Sequence, residues 1–289
     1  MTLFKRLVAS AALMAAAAVA QAETFVFTAI PDQDESRLME RFGKVANYLS
    51  DELGVEVKYI PVKSYAAAIT AFRNNQVQLA WFGGLSGVQA RRLVDGSEAL
   101  AQGYEDQFFK SYIIANTDTG IEQTDDLASL QKQFEGKTFT FGSKGSTSGR
   151  LMPEFYLRET FNEAPDELFS RVGFSGDHSR TVTQVESGAY QIGAVNFSVW
   201  DTMVASGRVD TDKVRVVWTT PTYPDYQWTI RGDVNDHFGK GFKAKVTEAL
   251  LNMKDEDLLG SFPRKSFVPA SNADYQPIED TAKAIGLID

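Results

Sequence analysis

From Thr24 to Leu93 the chain alternates short apolar runs with segments of helical period, three times over, and this alternation constrains the fold more than any other feature. Thr24–Ile30 is a β-rich run, followed by a polar loop at residues 31–36. Leu38, Phe42, Val45, Leu49 and Leu53 then recur at helical spacing, and Gly54 closes the segment. Val55–Pro61 is the next strand, and Ser64 reads as the N-cap of a helix carrying Tyr65, Ile69 and Phe72. Val77–Phe82 is a buried strand, Gly83-Gly84 a tight turn, and Ser86 a second N-cap before Val88–Leu93. A chain of this pattern buries its strands as a mixed, mostly parallel sheet flanked by helices, so the expected class is α/β.

The same grammar returns further on. Ser111–Ala115, Lys137–Phe141, Val172–Phe174, Tyr190–Val195 and Val214–Thr219 read as strands, with helices to about Asn162, over Thr181–Glu186 and over Asn196–Val204. Phe242–Met253, Asp255–Gly260 and Ile278–Ile285 read as terminal helices. Two stretches echo each other: Gln76–Trp81 and Ala189–Ala194 both follow a helix and both lead into a Gly/Asn/Ser turn and another helix. Residues 116–120 are polar and turn-rich, and two prolines fall within residues 221–224. With the chain crossing at those two places, one lobe takes residues 23–116 and 223–289 and the other takes 117–222. Two lobes on two connections can close like a hinge on a ligand.

The first 22 residues read as an export leader. Lys5 and Arg6 precede the Ala-rich apolar run Leu7–Ala20, and Ala20-Gln21-Ala22 is a small-x-small cleavage site. The run is shorter than the roughly 20 residues a membrane span needs. Cleavage of those 22 from 289 leaves 267 residues beginning at Glu23, enough for two domains. The two basic residues lost take the formal charge from −9 to −11, which argues against nucleic acid and anionic membranes as partners. There is no cysteine, so there is neither a disulfide scaffold nor the usual bacterial lipid attachment point. The expectation is a freely soluble periplasmic monomer.

The chemistry concentrates at Phe141-Gly142-Ser143-Lys144-Gly145-Ser146-Thr147-Ser148-Gly149-Arg150. Strand, Gly/Ser/Thr turn and helix in that order leave the first helical N–H groups and several hydroxyls facing out at the positive end of the helix dipole. The natural guest is an anion. A nucleotide P-loop is excluded, because Arg150 stands where a lysine should follow the closing glycine. No serine sits in G-x-S-x-G order. His178, in the turn Asp177-His178-Ser179, can donate a ring N–H to an oxyanion; a triad with Ser148 and Asp177 is disfavoured, because adjacent Asp and His rarely aim at one site. Two distant histidines and no cysteine leave too few metal ligands, and no cofactor is expected. Tyr65 follows an N-cap and can present its hydroxyl. Trp81 ends a strand, where doubly wound sheets place ligands, and Tyr226 crowds the second crossing with Tyr223 and Trp228. Arg150 or Arg180 can offset ligand charge, and Asp32, Asp34 and Glu35 read as a solvated loop.

Five stretches together resemble one family. They are Ala80-Trp81-Phe82-Gly83-Gly84-Leu85-Ser86, Ser146-Thr147-Ser148-Gly149-Arg150-Leu151-Met152-Pro153, Gly176-Asp177-His178, Ala194-Val195-Asn196 and Val216-Val217-Trp218-Thr219-Thr220-Pro221. In this order they are similar to the periplasmic phosphonate-binding proteins of ABC importers, within the wider phosphate/phosphite/phosphonate-binding group. The resemblance implies a two-lobed periplasmic binding fold of the two-crossover type. It also implies a small tetrahedral oxyanion as ligand, a membrane permease as partner, and binding rather than catalysis. It assigns the anion to Ser146, Thr147 and Ser148, adds donors from Tyr65 and His178, and implies that the tyrosine position near Tyr104 closes over the ligand; the helix start at Ser146–Gly149 is expected to seize the anion, and the opposite lobe to close with Tyr65 and Ser86. Members that take aminoalkylphosphonates hold the amine with acidic side chains. One of those positions is Val199 here and the other falls near Asp225-Tyr226. The sequence is also similar to a branch labelled as selenate importers, so a bare oxyanion such as selenate is an alternative ligand, and a membrane sensor an alternative partner.

Overall fold

The computed structural model describes residues 23–289; the expected leader lies outside them. The strands are β1 (Phe25–Ala29), β2 (Val57–Tyr59), β3 (Leu79–Phe82), β4 (Glu98–Gly103), β5 (Ser111–Asn116), β6 (Thr138–Phe141), β7 (Arg171–Phe174), β8 (Ile192–Asn196), β9 (Val214–Thr219), β10 (Gln227–Ile230) and β11 (Phe267–Pro269). They form a six-stranded sheet in the order β11-β4-β10-β3-β1-β2 and a five-stranded sheet in the order β7-β6-β8-β5-β9. Setting aside the edge strand β11, the two sheets share one plan. β1 and β6 each pair in parallel with the strand that follows and the strand after that. A single antiparallel strand, β10 or β5, then joins each third strand to the last. The echoing segments at 76–81 and 189–194 lead into β3 and β8, which hold the same place in their sheets.

The two antiparallel strands are those that enter a sheet directly after a crossing. This corrects the expected boundary. Residues 116–120 begin at Asn116, the last residue of β5, and continue as a 3-10 turn over Thr117–Thr119; β5 lies inside the second sheet between β8 and β9, so the chain leaves the first lobe near Phe109. There Phe109 and Tyr223 exchange backbone hydrogen bonds of 2.9 Å in each direction, tying the two crossings into a short antiparallel pair. Beside it Asp106 and Arg264 make a buried bidentate ion pair, Nη2–Oδ1 at 2.7 Å and Nε–Oδ2 at 2.8 Å. The crossings therefore hang from a firm base, which favours rotation of whole lobes over local unfolding.

Local sequence explains the rest of the frame. The helix Glu35–Leu53 buries Leu38, Phe42, Val45, Leu49 and Leu53, and ends at Gly54 in the left-handed region at φ 68°. Ser64 caps the helix Tyr65–Arg73 by accepting from the Ala67 N–H at 3.1 Å. The first lobe packs on aromatic rings: Trp228 of β10 lies 5.2 Å from Trp81 and 5.7 Å from Phe27, centroid to centroid. Trp228 is thus a core residue, fully buried.

Candidate functional site

The loop after β6 is shaped to expose an N-terminal turn. Gly142 donates its N–H to the Gly149 carbonyl at 2.8 Å, folding the loop on itself. The Ser146 hydroxyl caps by accepting from Gly149 N–H at 2.9 Å. Residues Thr147–Leu151 wind as a wide π-helical turn, with Leu151 N–H on the Ser146 carbonyl at 3.0 Å, before the α-helix Met152–Phe161 begins with Pro153 in its first turn. The amides of Thr147 and Ser148 open this turn, where a helix offers no internal acceptor. Ser146, Thr147 and Ser148 are all buried.

Two glycines make this close approach possible. A β-carbon at position 149 would lie 2.9 Å from His178 Cε1 and 3.0 Å from Ser146 Oγ. Gly149→Ala is therefore expected to push the imidazole off its line and cost about 1–3 kcal/mol of packing strain. Titration calorimetry should show at least a roughly tenfold loss of affinity for the preferred oxyanion. At position 145 a β-carbon would lie 3.2 Å from Tyr65 Cβ, so glycine there lets the tyrosine come up against the loop.

Among the buried polar atoms without a partner are two ring donors beside this turn, the Tyr65 hydroxyl and His178 Nε2. Tyr65 opens its helix with Ser146 as a side-chain neighbour; burial, reinforced by Asp32 and Asp225, holds the phenol well above its ordinary pKa, so it stays a donor. His178 opens the helix His178–Glu186, where Asp177 is the N-cap, accepting from Arg180 N–H at 2.8 Å. Asn196 N–H donates to His178 Nδ1 at 3.3 Å. That hydrogen bond leaves the ring proton on Nε2. Burial pushes the imidazole pKa down to about 3, so the histidine is neutral and offers an N–H rather than a charge. Asp177 spends its carboxylate on Arg180 and its helix cap, so Ser148, His178 and Asp177 do not assemble as a triad.

The lobes are closed on one another at this point. Leu85 N–H of the first lobe donates to Thr147 Oγ1 of the second at 2.9 Å. His178 N–H donates to the Asp32 carbonyl at 3.0 Å. Asn196 Nδ2 donates to the Tyr226 hydroxyl at 3.0 Å, and that hydroxyl donates to Asp32 Oδ2 at 2.9 Å. Thr147 is the latch among these. Thr147→Val keeps the volume, removes the acceptor and leaves the Leu85 amide bare only in the closed form, at about 1–3 kcal/mol. Its affinity should fall by roughly five- to a hundredfold, and small-angle scattering of the liganded protein should show a smaller closed fraction than wild type.

Asp225, beside which the second amine-holding position is expected, is fully buried against the turn. Its Oδ1 accepts from Gly84 N–H at 2.8 Å, its Oδ2 has no partner, and the Thr147 and Ser148 hydroxyls bear on it. Asp32, read as a solvated loop residue, is also buried, held by Tyr226 and the nearby Arg41. Asn196, read as the first residue of a helix, caps Phe197–Ala205 and orients both His178 and Tyr226.

Other expected contacts move away from the turn. Ser86 is not an N-cap: the helix starts earlier, at Gly84, and the Ser86 hydroxyl is used up on Gly83, accepting from its N–H and donating to its carbonyl. Tyr104 is about half exposed (48%), edge-on to Phe108 on the outer surface. Its turn is anchored by Asp106 pointing inward, which turns Tyr104 outward. Trp81 lies beneath the site, stacked on Tyr226 at 5.6 Å. Arg150 pairs with Glu154 and covers Phe174, and Arg180 projects into solvent from Asp177. Neither supplies the charge expected of it. What the geometry offers an anion is a set of neutral donors: two helix-start amides, hydroxyls, a phenol and a neutral imidazole.

Known proteins share this fold. A sequence model of the family described as "ABC transporter, phosphonate, periplasmic substrate-binding protein" matches residues 27–275. A probable ABC transporter phosphite binding protein, PhnD1 of Prochlorococcus marinus (strain MIT 9301), is 39% identical over 265 residues, 90% of this chain and 89% of that one. The phosphonates-binding periplasmic protein of Escherichia coli (strain K12) is 26% identical over 218 residues, 74% of this chain and 63% of its own. The solved structure of P. marinus PhnD1 in complex with methylphosphonate has a TM-score of 0.88 at 38% identity, covering 92% of this chain and 99% of that chain. The paired sheets are thus the two lobes of a periplasmic binding protein, and the chain belongs to the phosphonate family of periplasmic substrate-binding proteins of ABC transporters.

Proposed function

We propose that this chain captures a small phosphorus oxyanion of the methylphosphonate, phosphite or phosphate type between its lobes and delivers it, as a monomer and without catalysis, to an ABC permease. The carrying observation is the pair of buried, unpartnered donors, Tyr65 Oη and His178 Nε2, beside the Ser146–Ser148 turn. A folded protein leaves such groups bare at a cost of about 1–3 kcal/mol each, which an anion accepting from them removes. Charge-assisted bonds of this kind are worth roughly 1.5–3 kcal/mol apiece, enough in combination for micromolar or tighter binding after ordering costs. Val199 is buried and apolar, so it gives no carboxylate to an ammonium tail. This favours a bare or methyl-bearing anion over an aminoalkyl one. Likeness to a protein solved with methylphosphonate supports the same choice.

A thermal-shift screen of the mature protein against methylphosphonate, phosphite, phosphate, 2-aminoethylphosphonate, sulfate and selenate tests this reading. A ligand at a hundred times its Kd should stabilise by about 2.7 kcal/mol. The first three should raise Tm most. A protein moved only by the aminoalkyl compound, or by none of the six, would refute the assignment.

A further inference from the structure

Arg41 is the one charged residue on the buried face of the helix Glu35–Leu53, between Leu38 and Val45, and it is 8% exposed. Its guanidinium lies over the rings of Phe42 and Phe262, at 5.8 and 5.6 Å from their centroids. Its Nε has no partner among the described residues. Burial works against its charge, and Asp32 offsets part of that cost. The Asp32 carboxylate, however, already accepts from the Tyr226 hydroxyl at 2.9 Å. A buried cation with a bare N–H is costly unless something accepts from it. What Arg41 faces is a cavity of about 190 Å³ between the lobes. Gln33, Arg37 and Ser261 line it from the first lobe, and Thr202, on the helix Phe197–Ala205, lines it from the second. Glu40 also borders it but is turned to solvent, where it pairs with Lys44 at 3.8 Å. Beside the cavity Asp34 is shared by two guanidiniums, Arg37 at 3.9 Å and Arg208 of the second lobe at 3.3 Å. None of these groups belongs to the Ser146–Ser148 turn, Tyr65 or His178.

We propose that this cavity is a second binding site, for a small monocarboxylate held by the fork of Arg41, and that filling it favours the closed form. The fork of a guanidinium, Nε with one Nη, matches the two oxygens of a carboxylate. The space suits an acid of a few carbons. A single charge suits it better than two, because Glu40 and Asp32 both lie close to Arg41's side of the cavity and a dianion would meet like charge from each. Arg41 and Thr202 stand on different lobes, so an anion that touches both binds the closed protein more tightly than the open one. The oxyanion also favours closure, and two ligands that favour the same state raise each other's affinity by the same factor. The carboxylate is thus a co-ligand of the oxyanion and not its competitor.

The probe is acetate. Calorimetry at pH 7.5 follows methylphosphonate binding while acetate replaces chloride at fixed ionic strength. A closed-form Kd of about 10 mM for acetate would raise methylphosphonate affinity about tenfold at roughly 0.1 M acetate. Arg41→Lys keeps the charge that Asp32 faces and loses the fork, so the gain should shrink to about twofold, a roughly tenfold weaker acetate site. Thr202→Leu fills the cavity from the other lobe and should abolish the gain, with methylphosphonate binding in chloride unchanged. Melting curves confirm that both variants fold. Flat or falling affinity in wild type, or a full gain in both variants, overturns the proposal; falling affinity would mean that acetate competes at the oxyanion turn. Sulfate matching acetate at equal ionic strength overturns the carboxylate assignment. If wild type binds no methylphosphonate, the oxyanion reading fails by itself, and saturation-transfer NMR of acetate decides the second site alone. Wild type should then show acetate contact that Arg41→Lys weakens and Thr202→Leu removes; no contact in wild type, or equal contact in all three proteins, overturns it.

Discussion

The double variant Tyr65→Phe, His178→Leu is expected to bind the preferred oxyanion a hundred- to ten-thousandfold more weakly than wild type, two lost hydrogen bonds to a charged group at roughly 1.5–3 kcal/mol each. The fold should bear the change unequally. Tyr65→Phe deletes a hydroxyl that has no partner within the chain, so stability should hold or rise slightly. His178→Leu deletes the acceptor for Asn196 N–H and should cost about 1–3 kcal/mol at pH 7.5. Acid shrinks that deficit. The wild-type imidazole has its folded pKa depressed to about 3, from 6.5 when exposed. Between those values the unfolded chain binds a proton that the folded one refuses, so wild type loses stability as pH falls, by about 2 kcal/mol at pH 5. Leucine has no such loss. Urea melts at pH 7.5 and pH 5, together with calorimetry, separate the two effects. Unchanged affinity in the double variant would place the anion elsewhere.

That prediction rests on parts of the molecule that were legible locally. The Ser64 cap, the Ser146 turn and the Gly176–His178 turn announce themselves because a cap and the helix it opens are neighbours in sequence. Their convergence was not legible, and neither was the sheet a strand would join. Ser111–Asn116 reads as a strand from its own residues, but nothing local says that it lies between β8 and β9 and not in the first lobe. β4, Glu98–Gly103, and β10, Gln227–Ile230, lack clean alternation, because both are covered on both sides by the rest of the first lobe. Ser86 looked like a cap because a serine before an apolar run usually is one; its helix begins two residues earlier at Gly84, where Asp225 accepts the first amide. That bond spans 141 residues of sequence, and so Asp225, the residue with the most chemistry in the site, was the one that sequence placed least well.

The same residue gives the largest expected change in stability. Asp225 has a folded pKa of about 7, against 3.8 for an exposed aspartate. The sign is opposite to that of a salt-bridged carboxylate. Between those pH values the folded state holds a proton that the unfolded state releases, so folding weakens as pH rises through the window, and above pH 7 the full cost of burying the charge is present. Three pH units correspond to about 4 kcal/mol, an upper bound for the ligand-free protein because opening the cleft hydrates the carboxylate. Asp225→Asn removes the ionisation and keeps an acceptor for Gly84. At pH 8 the ligand-free variant should therefore melt higher than wild type, by up to roughly 10 °C at the 2–4 °C per kcal/mol of a chain this size. At pH 4, where wild type is protonated, the gain should vanish. A Tm difference that does not change between pH 4 and pH 8 would mean that Asp225 is ionised and stably solvated in the free protein. A gain confined to high pH would mark Asp225 as a residue kept for its ligand at the expense of the fold, since a carboxylate no cation offsets is retained against about 4 kcal/mol only where something else binds it.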